Sequence, residues 1–191
     1  MKILELPILL ASQSPRRKEL LERAGFRFRV QSTDIEEVFP ADMPHDQVAE
    51  YLAIEKAKAA VPIRRKAEII LTADSLVFLN GVIYGKPADR AEAIQMLRQL
   101  SGQVHRVITG VCLASETKMR SFSGISDVHL EPMTDEEIEF YVDTYKPYDK
   151  AGAYAIQEWI GLCKIKRIVG TYTNIMGLPV DLVYQHLSEF I

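Results

Sequence analysis

Two long runs of β-forming residues, Val104–Ala114 and Met119–Leu130, lie near the middle of the chain with only residues 115–118 between them. A gap that short joins two strands as an antiparallel pair, because a parallel return needs a crossover of a dozen residues or more. Strand and helix signals alternate on either side of this pair. There is no internal repeat and no low-complexity linker, so the class is α/β with a mixed sheet. The expected fold is therefore α/β, a mixed twisted sheet with flanking helices. Two lobes are expected around a central cleft, with the long hairpin making the second lobe. Residues 1–191 read as one domain, its lobes sharing one core.

Local signals place the smaller elements. Residues 8–11 read as a short buried strand. Ser14 then caps a helix with Pro15 at its first position, and Gly25 closes it. Residues 26–31 alternate as a half-exposed strand, 33–45 form an acidic loop, and a helix runs over 46–60. Residues 68–73 predict a strand ending at Asp74. Asn80-Gly81, between apolar runs at 76–79 and 82–84, is a strong hairpin signal. A helix is expected over 90–100. Thr134-Asp135-Glu136-Glu137 is a capping box that opens a helix to about Tyr145. A strand at 164–169, a turn at Gly170 and a helix from Pro179 complete the chain.

Bulk properties exclude several functions. The net charge is −3, so there is no global basic field for DNA or RNA, and a bound anion must meet a local cluster. Cys112 and Cys163 are few and far apart, which suits a reducing cytoplasm better than a disulfide framework. The four histidines show no paired metal spacing. Any metal should be hard, Mg²⁺ or Mn²⁺, and held by carboxylates. No run approaches the roughly 20 apolar residues of a membrane span. The start of the chain reads as a first strand and not as a signal peptide, since Glu5 and Pro7 break the apolar run.

The turn Ser12-Gln13-Ser14-Pro15-Arg16-Arg17 is the first candidate site. A helix N-terminus already carries partial positive charge, and each added cation costs roughly 0.3–1 kcal/mol. Arg16, Arg17 and Lys18 nevertheless occupy the first turn, where acidic residues are expected. An anion seated there explains the placement, with phosphate the natural candidate. Solvated surface charges are the plainer explanation. Asp74, expected at a strand end, is either a turn residue or part of the crevice that open α/β sheets form at that edge. Glu36 and Glu37 are either solvated loop charges or, with Asp74, hard ligands for a divalent ion. Lys56 shares a helix face with Val48 and Leu52. It either snorkels or meets a partner. Lys86, in Gly85-Lys86-Pro87, is either an ordinary loop lysine or a site residue. Tyr154, Trp159 and Tyr172 could stack on a base, though such aromatics are more often core. His105 and His129 lie in β runs and read as structural.

These pieces occur together in one family. Nine segments match it in order between Leu9 and about Tyr184: Ala11-Ser12-Gln13-Ser14-Pro15-Arg16-Arg17-Lys18-Glu19-Leu20-Leu21, Ile35-Glu36-Glu37, Glu55-Lys56-Ala57, Thr72-Ala73-Asp74-Ser75, Gly85-Lys86-Pro87, Leu100-Ser101-Gly102-Gln103-Val104-His105, Thr109-Gly110-Val111, Asp149-Lys150-Ala151-Gly152-Ala153-Tyr154-Ala155-Ile156-Gln157 and Gly177-Leu178-Pro179. The chain resembles Maf-type nucleotide pyrophosphatases. The resemblance implies an inosine triphosphatase-like fold, a homodimer, a divalent metal, and hydrolysis of a nucleoside triphosphate to monophosphate and pyrophosphate. By the same resemblance Asp74 looks like the general base. Glu37, with Glu36 and Asp74, would hold the metal. Ser12, Ser14, Arg16, Arg17, Lys56 and Lys86 would bind substrate, and Arg16, Ser75 and Gln157 would choose the base. Arg16-Arg17 and Ala155-Ile156-Gln157 look like the subgroup acting on dTTP and UTP, including modified uridine triphosphates. A second subgroup prefers 7-methyl-GTP, and a nucleotide-sensing role in cell division is conceivable without catalysis. Ser75 stands where the family has threonine, and Glu158-Trp159 follow Gln157 where it has glycine.

Overall fold

In the computed structural model, which describes residues 1–191, the strand expected to stop at Asp74 continues through it. No glycine or proline interrupts β3 (Ile69–Leu79), and every residue from Ile69 to Asp74 is buried. Pairing and burial therefore override the low strand propensity of aspartate. The neighbouring strand is the one that ends. β1 (Ile8–Leu10) pairs in parallel with β3 only as far as Leu10 opposite Leu71, with one further bond from the Ala11 N–H to the Leu71 carbonyl (3.0 Å). Asp74 thus lies beyond the carboxyl end of β1, in the middle of β3.

The remaining strands are β2 (Phe28–Val30), β4 (Val82–Tyr84), β5 (Val104–Ala114), β6 (Met119–Leu130) and β7 (Ile165–Val169). All seven form one mixed sheet in the order β2-β1-β3-β5-β6-β7, with β4 on β3. β1 is parallel to β2 and β3, while β3–β4 and β6–β7 are antiparallel. The helices are α1 (Pro15–Arg23), α2 (His45–Ala60), α3 (Arg90–Leu100), α4 (Asp135–Tyr145), α5 (Trp159–Cys163), α6 (Tyr172–Met176) and α7 (Val180–Leu187). The expected α/β class and mixed sheet are present. Asn80 and Gly81 both take positive φ, 51° and 79°, as the hairpin turn between β3 and β4 requires. No helix is long and apolar enough to cross a membrane.

The chain divides into two compact units. The first holds Met1–Asp74, Thr109–Gly124 and Gly177–Ile191; the second holds Ser75–Ile108 and Ile125–Met176. The long β5–β6 hairpin is divided between them, its tip belonging to the first unit.

In the first unit, α2 packs on the sheet through Ala49, Ala53, Ala57 and Ala60, all 0% exposed. Small residues allow close approach, and Gly110 on β5 makes it closer. A Cβ at Gly110 would lie 2.2 Å from the backbone of Ala49 and Glu50. The Thr72 hydroxyl donates to the Ala53 carbonyl (2.6 Å), which fixes the helix along β3. In the second unit, the capping box at Thr134 and Glu137 is present on α4. Arg90 on α3 holds Asp143 on α4 through two hydrogen bonds, of 2.6 and 2.9 Å. Leu97, Leu100, Ile138 and Ile160 fill the core of this unit.

Candidate active site

The site is built on the register that Thr72 sets. Side chains two apart on a strand share a face, about 6.6 Å from each other. Three residues of helix advance about 4.5 Å. With Thr72 bonded to Ala53, residue 56 falls opposite residue 74. Lys56 Nζ donates to Asp74 Oδ1 (2.5 Å) and to Glu37 Oε1 (2.7 Å). Lys56 therefore meets partners instead of snorkelling, and its side chain is only 15% exposed. Asp74 is buried, whereas Glu37 is exposed on its loop. The loop is tied back to the turn before α1 by a bond from Gln13 Nε2 to Asp34 Oδ1 (2.8 Å).

The turn before α1 differs from expectation in one respect. Ser14 is the N-cap residue, but its hydroxyl makes no capping bond. The organising hydroxyl is that of Ser12, which accepts from the Ser14 N–H (3.2 Å) and from Arg17 Nη1 (3.1 Å). Ser12 can do this because it lies outside the helix, two residues before the N-cap. Arg17 Nε donates to the Gly177 carbonyl (2.8 Å), which orients the guanidinium. Burial lowers the Arg17 pKa from its ordinary value; Asp74 opposes this, Arg16 adds to it, and Glu37 opposes it. Arg17 thus faces the same two carboxylates as Lys56. No acidic residue stands in the first turn of α1.

The first unit therefore gathers Ser12, Arg17, Glu37, Lys56 and Asp74. Ser14 and Arg16 are half-buried at the same helix start, and Glu36 is exposed beside Glu37. The second unit carries Ser75, Lys86 and Gln157. Lys86 is exposed, and its loop is held to the 149–157 segment by a bond from the Gly152 N–H to the Gly85 carbonyl (3.0 Å). The Gln157 amide oxygen is buried and has no hydrogen-bond partner. Tyr154 is a core residue, 5% exposed, with its hydroxyl on His105 Nε2 (2.7 Å). That bond also gives His105 a structural partner. Trp159 packs edge-on against Phe140 at 5.6 Å. Sequence reasoning gave no role to Thr72 or Gly177. The strand period places Thr72 beside Asp74, whereas nothing local points to Gly177.

No group of three or more His, Cys, Asp or Glu side chains is arranged so that it could hold a metal ion. Asp74 and Glu37 do converge on one ammonium nitrogen. That donor pair fits Mg²⁺ or Mn²⁺, which take one or two protein carboxylates and complete their shell with phosphate oxygens and water.

Residues 7–190 match the model of the family described as Maf-like protein. The chain belongs to the Maf family. Among its Maf relatives, the dTTP/UTP pyrophosphatase of Bacteroides thetaiotaomicron is 46% identical over 183 residues, 95% of each chain. The dTTP/UTP pyrophosphatase of Porphyromonas gingivalis strain W83 is 47% identical over 186 residues, covering 96% of this chain and 94% of the relative. The Ham1 protein of Staphylococcus aureus shares the fold, with a TM-score of 0.57 at 18% identity over 97% of this chain and 100% of that one.

Proposed function

We propose that this Maf protein hydrolyses dTTP and UTP, with modified uridine triphosphates, to the monophosphate and pyrophosphate. The observation that carries the proposal is the Glu37–Lys56–Asp74 bridge beside the cationic start of α1. A nucleotide sensor needs cations but has no use for a buried carboxylate set among them, so the bridge favours hydrolysis. The likeness to dTTP/UTP pyrophosphatases over nearly the whole chain supports the same reaction.

In this reading Asp74 accepts the proton of the attacking water. Lys56 orients the Asp74 carboxylate. Arg16, Arg17, Lys56 and Lys86 neutralise and align the triphosphate, with Ser12 and Ser14 completing the grip. Attack at phosphorus depends mainly on such positioning and charge neutralisation. Glu37 and Asp74, with Glu36 as a further carboxylate, would hold the divalent ion, which when bound supplies charge neutralisation and makes water more acidic. Gln157 reads the base, helped by Arg16 and Ser75. Its buried, unpartnered oxygen supports this role. Thymine and uracil offer an N3–H donor to such an acceptor, whereas cytosine offers another acceptor. The two free cysteines suit a reducing cytoplasm, and the family resemblance supports a homodimer.

Purified protein given Mg²⁺ or Mn²⁺ with dTTP or UTP should release pyrophosphate and monophosphate in equal amounts. Release of orthophosphate instead, or no product from a panel of standard and modified nucleotides, overturns the proposal.

A further inference from the structure

Gln157 is the third residue of a turn closed by a bond from the Glu158 N–H to the Ala155 carbonyl (3.1 Å). Both ends of this turn are tied to one side chain. The Tyr141 hydroxyl accepts from the Ala155 N–H (3.0 Å) and donates to Glu158 Oε2. The other carboxylate oxygen, Glu158 Oε1, lies 3.4 Å from Lys150 Nζ. Lys150 Nζ also donates to Asp149 Oδ1 (2.7 Å). Tyr141 is 0% exposed and Lys150 8%. Tyr141 belongs to α4, and its ring stacks on Tyr145 at 4.9 Å. Burial and the Glu158 carboxylate push the Tyr141 pKa well above its ordinary value, so the hydroxyl keeps the proton it donates.

An ion pair partly withdrawn from water is a costly way to hold a turn. It does two things that a simpler turn would not. Together with the Tyr141 hydroxyl it ties the turn that carries Gln157 to a rigid helix at both ends. It also commits donors of the same segment: the Ala155 N–H goes to Tyr141, and Lys150 goes to Asp149 and Glu158. The Gln157 amide oxygen is itself buried without a hydrogen-bond partner, so its acceptor stays open.

We infer that Tyr141, Glu158 and Lys150 are positioning residues that aim the Gln157 amide at the base and keep the protein's own donors from it. The inference rests on the reading of Gln157 as the residue that recognises the base. It gives the glutamate that follows Gln157 a part in choosing the base.

The test compares kcat/KM for dTTP and dCTP in Tyr141→Phe, Glu158→Gln and Gln157→Ala, and in the Tyr141→Phe/Gln157→Ala double variant. Tyr141→Phe should lower the dTTP-to-dCTP ratio about tenfold, the effect of one lost hydrogen bond, with the change lying in KM for dTTP more than in kcat. Glu158→Gln should lower the ratio in the same direction. In the Gln157→Ala background, Tyr141→Phe should change the ratio no further. A purely structural network would lower the melting temperature and leave the ratio alone. Should Tyr141→Phe fail to fold, Glu158→Gln decides the matter, since its side chain is 20% exposed. If Gln157→Ala abolishes the preference while Tyr141→Phe and Glu158→Gln keep it, the inference fails and the reading of Gln157 stands. If Gln157→Ala keeps the preference, both fail.

Discussion

The two units hold their charged groups in opposite ways. In the first unit, Lys56 bridges a buried carboxylate on a strand and an exposed one on a loop, Asp74 at 10% and Glu37 at 48% side-chain exposure. In the second, a tyrosine hydroxyl and a lysine hold Glu158 against the core, and the tyrosine has no exposed surface. A lysine stem has four rotatable bonds and a point charge at its end, so its partner can change. A buried tyrosine has a rigid ring and one direction for its hydroxyl. Phosphate chemistry calls for charges that can shift from protein carboxylates to an incoming anion. Base recognition calls for dipoles that do not move. The first arrangement suits the one task and the second suits the other.

The largest expected effect removes the acceptor and keeps its shape. Asp74→Asn should lower turnover roughly 10²- to 10⁴-fold, the range of a lost general base. Affinity for a non-hydrolysable dTTP analogue, measured by calorimetry, should change far less. Turnover close to wild type would move the base to another residue and leave the first unit with a phosphate grip alone. Next comes Lys56→Met, which keeps the apolar stem and deletes the charge. It leaves Asp74 without this counter-ion and should cost about a hundredfold in kcat/KM. A loss of melting temperature with kcat/KM intact would mean that the bridge only stabilises the fold.

The same contrast governs how much was legible in the sequence. Residues that break a local pattern stood out. Lys56 interrupts an apolar stripe, and Arg16 and Arg17 load the wrong end of a helix; both lie at the site. The Asn80-Gly81 turn and the capping box at Thr134 are signals within four residues, and both formed as expected. Asp74 reads as the end of its own strand because it follows the apolar run Ile69-Ile70-Leu71. The residue is instead positioned by where β1 stops, which depends on pairing between segments some 60 residues apart. The Tyr141–Glu158 contact spans 17 residues and depends on how α4 packs, so no local pattern marks it. Ser12 displaced Ser14 as the organising hydroxyl for a similar reason. Its partner Arg17 is oriented by Gly177, 160 residues further along the chain.

The register of α2 on β3 offers a smaller test. Thr72→Val is nearly isosteric but removes the donor to the Ala53 carbonyl. The loss should be about 1–2 kcal/mol. For a chain of this size that is roughly 2–8 °C in melting temperature. Because the same bond sets Lys56 opposite Asp74, kcat/KM should fall several-fold as well, and Thr72→Ser should restore part of both. A stability loss with unchanged kcat/KM would show that packing at Gly110 sets the register unaided.

The smallest effect concerns an unpaired charge in the core of the second unit. His105 is 1% exposed, and its Nε2 lies 2.7 Å from the Tyr154 hydroxyl. Burial pushes its pKa down from 6.5 to about 4, with Asp127 opposing the shift. In the unfolded chain the imidazole titrates near its ordinary value. Between these two values the unfolded chain binds a proton that the folded chain refuses. Stability is therefore unaffected by this group above about pH 6.5, and it falls as pH drops toward 4, by at most about 1.4 kcal/mol per pH unit. His105→Asn removes the titrating group, so its melting temperature should fall less steeply than that of wild type between pH 6.5 and 4.5. Equal slopes would mean that the folded unit accepts a proton at His105. The core of the second unit would then tolerate a buried charge without the carboxylate partners that Lys150 has in Asp149 and Glu158.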